Sequence, residues 1–123
     1  MKSNSDIIVY SDGGARGNPG PGAYGFLIYD KDLNLLFKEG KAIGLTTNNA
    51  AEYVGVISAM KWLGHNIKSE NIKIEFFLDS DLVVSQLSGR FKVKNENLRN
   101  LYFEMKEMEN LAHAEIKYSH IPR

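Results

Sequence analysis

At residues 11–22 the chain reads Ser11-Asp12-Gly13-Gly14-Ala15-Arg16-Gly17-Asn18-Pro19-Gly20-Pro21-Gly22, and the apolar run Ile7-Ile8-Val9-Tyr10 leads into it. Apolar and aromatic residues bounded by turn residues predict a buried strand over 7–11. The five glycines and two prolines that follow predict a stiff loop, because glycine permits close backbone approach and proline fixes φ. The sequence therefore predicts a strand that presents the Asp12 carboxylate beside a loop rigid enough to line a site.

The rest of the chain follows the pattern of a mixed α/β protein. Alternating and apolar runs predict further strands over 24–29, 35–42, 72–78 and 115–121. Helical spacing and capping residues predict helices over 50–63, over 80–87 and from Asn95 or Asn97 to about 112, with 89–95 extended. We expect one domain over 1–123 with a mixed five-stranded sheet and helices on its faces.

Composition restricts the class of protein. A length of 123 residues with 43% hydrophobic and 24% charged residues is ordinary for one soluble domain. The chain has no cysteine, which excludes disulfides, thiolate metal sites and a thiol nucleophile. No apolar stretch approaches a membrane span or a signal peptide, so we expect a cytoplasmic protein without a membrane association. The formal net charge is +0, so attraction to a polyanion requires a local cationic patch or bound metal ions.

Three acidic residues are placed to form one cluster. Asp12 and Asp79 each follow an apolar strand directly, and Glu52 falls in the first turns of the predicted helix between them. If the strands that end in Asp12 and Asp79 are parallel neighbours, the two acids lie side by side at one edge of the sheet, and the strand–helix–strand run over 47–78 permits only that class of crossover. Neighbouring carboxylates repel, and Mg²⁺ bound through oxygen ligands relieves that repulsion. Two such ions about 4 Å apart hydrolyse phosphodiesters without a protein nucleophile.

Each of these acids also has an ordinary structural interpretation. Asp12 is of a type that opens turns. Glu52 has the spacing of a capping box with Asn49, and Asp79 precedes Ser80 as a helix N-cap would. Any one acid taken alone is better explained in this way. The three together, beside the glycine-rich stretch, favour the metal site.

Five stretches of the sequence together match one known family. They are residues 11–22, Thr46-Thr47-Asn48-Asn49-Ala50-Ala51-Glu52-Tyr53, Phe77-Leu78-Asp79-Ser80-Asp81-Leu82-Val83-Val84, Gly89-Arg90-Phe91-Lys92-Val93-Lys94-Asn95 and Ile116-Lys117-Tyr118-Ser119-His120-Ile121-Pro122-Arg123. On these stretches the chain closely resembles the type 1 ribonuclease H family, in the compact bacterial and archaeal branch without the basic protrusion. The resemblance covers essentially the whole sequence in the right order.

The resemblance implies a ribonuclease H-like fold and cleavage of the RNA strand of an RNA–DNA hybrid by two Mg²⁺ ions. Asp12, Glu52 and Asp79 match the family's first three catalytic, metal-binding acids. Mn²⁺ is the alternative ion. The family carries a fourth acid on a C-terminal helix beyond Ile-Pro-Arg, and the sequence given ends at Arg123. We therefore expect that helix to be missing.

The absence of the fourth acid leaves alternatives to a fully active enzyme. One is a weak enzyme that accepts Mn²⁺ better than Mg²⁺, and another is a truncated fragment. A third is a hybrid-binding module with impaired catalysis. A nucleotide-binding protein of the actin-like type is disfavoured, because no Lys-Ser/Thr pair follows the glycines. His120 has no assigned role.

Seven further residues are candidates for substrate binding. The resemblance implies that Asn18 and Asn49 contact the hybrid in its minor groove and that the backbone at Gly13 and Gly14 approaches it. Short amides and exposed backbone suit the reading of 2′-hydroxyls there. Three cations, Arg90, Lys92 and Lys94, would share one face if their segment is extended, and they could then reach phosphates. The alternative for these cations is a solvated, charge-guarded sheet edge.

Overall fold

The computed structural model describes residues 5–121, which contain five strands and three helices. In chain order the elements are β1 (Ile7–Ala15), β2 (Gly20–Asp30), β3 (Leu35–Thr46), α1 (Asn48–Asn66), β4 (Lys73–Leu78), α2 (Asp81–Leu87), α3 (Glu96–Ala112) and β5 (Glu115–His120). Residues 1–4, which belong to the N-terminal segment expected to hold no signal peptide, lie outside the described residues. So do Pro122 and Arg123, which end the last stretch that resembles the family.

The strands form one mixed sheet in the order β3-β2-β1-β4-β5. β1 pairs antiparallel with β2 and parallel with β4, β4 pairs parallel with β5, and β3 pairs antiparallel with β2. The parallel register places Ser11 opposite Leu78 as its last pair. The predicted mixed five-stranded sheet and the predicted parallel neighbours are therefore confirmed.

All three helices contribute to one hydrophobic core with the sheet. Val9 and Phe76 from the central strands, Tyr53 from α1, Val83 from α2 and Met105 from α3 are fully buried in it. The apolar side chains that recur at helical spacing along α3 pack there too. No helix among residues 5–121 is long and apolar enough to cross a membrane.

The glycine-rich stretch differs from its prediction. β1 continues to Ala15 and β2 begins at Gly20, so the irregular loop spans only residues 16–19, with a cis peptide bond between Asn18 and Pro19. Ladder pairs such as Gly14 with Ala23 run through the predicted loop. A Cβ at Gly22 would lie 2.3 Å from Thr46 Cγ2. The glycines here permit close packing inside a sheet, and the prediction of a long loop was wrong.

The segment between α2 and α3 also differs from its prediction. Residues 88–95 form turns and irregular backbone without a sheet partner, and Gly89 has φ +83°. The segment is therefore not the continuous extended stretch that was predicted, because the chain turns at 88–89 and bends at 90–91. The condition under which Arg90, Lys92 and Lys94 would share one face is not met. The same finding excludes the sheet-edge alternative. All three side chains are exposed.

Candidate active site

The structure brings the three predicted acids together at one edge of the sheet. Asp12 lies one residue beyond the last β1–β4 pair, and Asp79 follows the end of β4. Glu52 projects from the first turns of α1. One carboxylate oxygen from each residue lies within 4.8 Å of the other two. Asp12 is exposed, Asp79 half-buried and Glu52 buried, so the cluster has a solvent-facing side and a closed side.

The start of α1 determines where Glu52 lies. Thr47 is the N-cap, and its side chain accepts a hydrogen bond from the Ala50 backbone N at 3.3 Å. A Cβ on Gly13 would lie 2.5 Å from the Ala51 backbone carbonyl. Because Gly13 has no side chain, the first turns of α1 can lie directly against β1. This contact places the Glu52 carboxylate beside Asp12.

Glu52 is the electrostatic centre of the cluster. Its relative exposure is only 1%. Its Oε2 accepts a hydrogen bond from the Ser80 backbone N at 3.1 Å, whereas its Oε1 has no hydrogen-bond partner in the structure described. Burial raises the pKa of this carboxyl to about 8; the Ser80 N–H opposes the rise, and the charges of Asp12 and Asp79 add to it. The site therefore holds a carboxyl that is hard to ionise without a positive charge nearby.

These residues fit a divalent cation. Three carboxylates supply the oxygen ligands that Mg²⁺ and Mn²⁺ take, and the partnerless Glu52 Oε1 is a buried acceptor in need of a positive partner. The exposed side at Asp12 leaves room for water and phosphate oxygens. The same three residues are the ones the sequence predicted.

The ordinary interpretations of the acids are each wrong. Asp12 lies inside the β1–β2 ladder opposite Gly25 and opens no turn. The N-cap of α1 is Thr47, so Glu52 is not three residues from the cap and forms no capping box with Asn49. The N-cap of α2 is Ser80, not Asp79. Capping and turn formation thus account for none of the three carboxylates.

Two asparagine side chains at the start of α1 and in the loop next to it are held through their oxygens. Asn18 Oδ1 accepts a hydrogen bond from the Asn48 backbone N at 3.0 Å, and Asn49 Oδ1 accepts one from Ser80 Oγ at 2.9 Å. Asn48 Oδ1 in turn accepts from the Ala15 backbone N at 2.8 Å, which ties the loop at 16–19 to α1. Because the oxygens are used inside the protein, the NH₂ groups of Asn18 and Asn49 are what remain to meet a ligand.

Asn48 and Ser80 were not predicted as site residues. Ser80 donates to both Glu52 and Asn49 while its Oγ accepts from the Val83 backbone N at 3.2 Å as the cap of α2. The only signal in the sequence was the capping tendency of both residue types. Their partners lie about 30 residues away in the chain, which local patterns do not reveal.

The acids lie at one end of an open groove of about 1180 Å³. From the acid cluster the groove crosses β1 and β2 to Lys38 and Gly40 of β3, and Ile121 also lines it. Gly13, Gly14 and Asn49 line its acidic end. Arg90, Lys92 and Lys94 are not among the residues that line it, since they lie in the segment after α2.

His120 contacts the cluster through backbone. Its Nε2 lies 3.0 Å from the carbonyl oxygen of Asp79. A carbonyl oxygen only accepts, so the Nε2 hydrogen is the donor of this bond. The ring therefore ties the end of β5 to the residue that follows β4.

Known proteins with a similar sequence and structure point to one family. The sequence model of the RNase H family matches residues 4–122. The chain is 39% identical over 118 residues to the bifunctional protein Rv2228c of Mycobacterium tuberculosis, covering 95% of this chain and 31% of that protein. It is 32% identical over 117 residues to ribonuclease HI of Halobacterium salinarum, covering 95% and 57%. The chain thus spans about a third to just over half of these relatives.

A solved structure agrees with the sequence match. LC11-RNase H1 in complex with an RNA/DNA hybrid superposes with a TM-score of 0.89 and 37% identity, covering 95% of this chain and 86% of that one. The sheet order, the three acids at its edge and the family match over nearly all residues agree with one another. This chain belongs to the RNase H family.

Proposed function

We propose that this protein is a ribonuclease H that hydrolyses the RNA strand of RNA–DNA hybrids with two divalent metal ions, Mg²⁺ or Mn²⁺. The observation that carries the proposal is the cluster of Asp12, Glu52 and Asp79, with a buried, partnerless Glu52 oxygen, in a chain of this family. Relatives that bear the name ribonuclease H, and the hybrid complex of LC11-RNase H1, support the substrate class.

The three acids divide the work of holding the ions. Bound divalent ions supply an activated water and stabilise the leaving oxygen of the phosphodiester. Glu52 is the ligand on the closed side, and the Ser80 N–H keeps its carboxylate oriented. Asp12 and Asp79 face the open groove, where a phosphate can approach. Preorganised carboxylates lower the cost of arranging charge when the reaction takes place.

Asn18 and Asn49 suit the recognition of a hybrid from its minor groove. Their oxygens are occupied within the protein, so each presents NH₂ hydrogens toward a ligand. Base acceptors and 2′-hydroxyls line the wide minor groove of an RNA-containing duplex, and all of them can accept these hydrogens. The hydroxyls distinguish the RNA strand from DNA. These residues bind and orient the substrate without taking part in the hydrolysis.

The cations after α2 supply the contacts to phosphate. The net charge of the protein is +0, so general attraction to a polyanion is weak and local cations must provide it. Arg90, Lys92 and Lys94 are exposed within five residues of one another. Contacts of this kind position the duplex without reading its sequence.

The decisive experiment is cleavage of a labelled RNA–DNA hybrid with Mg²⁺ and Mn²⁺ tested separately. DNA–DNA and RNA–RNA duplexes are the substrate controls. We expect cleavage of the hybrid alone and its complete loss in Asp12→Asn, whose metal-free form is as stable as the wild type or more stable because carboxylate repulsion is relieved. A folded wild type that is silent with both ions would overturn the proposal. Hybrid binding without turnover would identify a binding module instead, and a clear loss of metal-free stability in Asp12→Asn would make Asp12 a structural residue.

A further inference from the structure

Residues 88–95, here called the basic segment, are anchored to α3 at two points. Lys106 Nζ donates to the carbonyl oxygen of Leu87, the last residue of α2, at 2.6 Å. Arg99 Nε donates to the Val93 carbonyl oxygen at 3.3 Å. Both acceptors are backbone groups without a sheet partner. Side chains of α3 therefore hold the segment directly before it begins and again near its end.

Lys106 is itself held in place by three neighbouring side chains. Its Nζ lies 3.1 Å from Glu109 Oε1 and 3.3 Å from Oε2, and the Tyr118 hydroxyl donates to the same carboxylate. The ammonium group also lies 5.6 Å and 5.8 Å from the ring centroids of Tyr102 and Tyr118. Its side chain is only 29% exposed. Because Glu109 neutralises its charge and two rings flank it, the Lys106 ammonium group is suited to bind the Leu87 carbonyl oxygen. It is poorly placed to attract a distant phosphate.

The fold of the basic segment depends on the helix end that Lys106 holds. The backbone N of Arg90 and that of Phe91 both donate to the Ser85 carbonyl oxygen, at 2.8 and 3.2 Å. The Arg90 guanidinium lies 3.5 Å from Ser85 Oγ. A shift of the last turn of α2 would therefore move Arg90 and the residues that follow it.

We propose that Lys106 is a positioning residue for nucleic-acid binding, which orders the basic segment so that Arg90, Lys92 and Lys94 meet phosphates in a ready-made arrangement. A mobile segment would lose conformational freedom on binding, and that loss weakens affinity. By fixing the end of α2, Lys106 removes this cost before the substrate arrives. The inference rests on the proposed function, because it assumes that the segment binds the hybrid.

The structural half of the test needs no substrate. Lys106→Met keeps an unbranched side chain of similar size and removes the donor to the Leu87 carbonyl oxygen. We expect hydrogen exchange at the Arg90 and Phe91 amides to accelerate about tenfold, and exchange in the β1–β4 core to stay unchanged. Lys106→Met/Glu109→Gln, which leaves no unpaired carboxylate, should show the same effect. Unchanged exchange at these two amides would overturn the inference whatever the protein binds.

The binding half is a double-mutant cycle measured by anisotropy with a labelled hybrid in EDTA, where metal-dependent cleavage does not occur. Lys106→Met should weaken binding about tenfold in the wild type and leave it unchanged when Arg90, Lys92 and Lys94 are all glutamine. The salt dependence of binding should become shallower in the triple glutamine variant, which loses phosphate contacts, and should stay unchanged in Lys106→Met. Lys61→Met is the matched control, because Lys61 is an exposed lysine on α1 paired at 3.7 Å with Glu104.

The outcomes separate the two proposals. Equal weakening by Lys106→Met in both backgrounds would mean that its own charge contacts the hybrid, which overturns the positioning role. A wild type that neither binds the hybrid in EDTA nor cleaves it with Mg²⁺ or Mn²⁺ refutes the proposed function, and the exchange result then still decides whether Lys106 orders the segment.

Discussion

The Glu52 carboxyl, one of the three acids in the site, has a strongly altered pKa. Burial raises its pKa to about 8, and two neighbouring carboxylates act in the same direction. Backbone hydrogen bonding from Ser80, and to a smaller extent from Asp79, lowers the pKa too little to reverse the effect, and Oε1 has no hydrogen-bond partner in the structure described. At neutral pH the metal-free protein therefore holds a proton at this position. A cation that binds there has to displace it.

The raised pKa of Glu52 makes metal-free stability depend on pH. The folded state keeps a proton that the unfolded chain, with the ordinary pKa of 4.5, loses. Stability from this group is therefore fully present below pH 4.5 and falls as pH rises toward about 8. Urea denaturation in EDTA should show that the free energy of unfolding of Glu52→Gln rises relative to that of the wild type across this range, by an amount on the order of a few kcal/mol. Parallel pH profiles for the two proteins would contradict a buried, protonated Glu52.

At the scale of elements, the site depends on how closely α1 approaches the sheet. Gly13 on β1 faces the Ala51 backbone, and Gly55 on α1 faces Ser11 Oγ, which a Cβ would approach to 2.8 Å. A glycine on each side of this contact removes the side chains that would separate helix and strand. The separation of the two elements is also the separation of Glu52 from Asp12.

Gly13→Ala should damage both the packing and the site. The new methyl group would overlap the Ala51 and Glu52 backbone at 2.5 to 2.7 Å, and a helix backbone cannot move aside cheaply. We expect a loss of about 1–3 kcal/mol in the free energy of unfolding and a large fall in cleavage rate. Gly14→Ala is the neighbouring control, since its Cβ would meet only Asn48 Oδ1 at 3.5 Å. Equal free energies of unfolding for the two variants, measured from denaturation curves, would argue against close packing at Gly13.

The elements also show which parts of the structure the sequence can predict. That Asp12 and Asp79 share one edge of the sheet follows from chain order, because two antiparallel connections and one helical crossover leave β1 and β4 running in the same direction. The course of residues 11–22 does not follow from local sequence. Glycine and proline locally favour a loop, whereas the ladder with β2 and the contact with α1 favour strands. Ser80 was missed for a related reason. Its role exists only when the end of β4 meets the start of α1.

At the scale of the whole molecule, the sheet has two unlike faces. The helices bury one face, whereas on the other Tyr10 stacks on Phe77 at 5.1 Å and meets the edge of Tyr29 at 6.0 Å. Stabilisation comes mainly from the buried face, because burial of apolar surface is the dominant favourable contribution. The acidic edge opposes it, since one oxygen from each of three carboxyl groups lies within 4.8 Å of the other two, and ionising all three would bring like charges together. Their repulsion is a cost to the fold that a bound cation would remove.

Divalent ions should therefore stabilise the folded protein as well as support cleavage. A ligand that binds only the native state raises stability with the logarithm of its concentration. We expect the melting temperature to rise with added Mn²⁺ or Mg²⁺, and to rise more near pH 8 than near pH 6, because ion binding competes with the proton on Glu52. Asp12→Asn should lose most of the increase, whereas Glu104→Gln, a change to an exposed carboxylate on α3, should keep it. A calorimetric melting temperature that does not change on addition of either ion would show that the three carboxylates do not form a metal site.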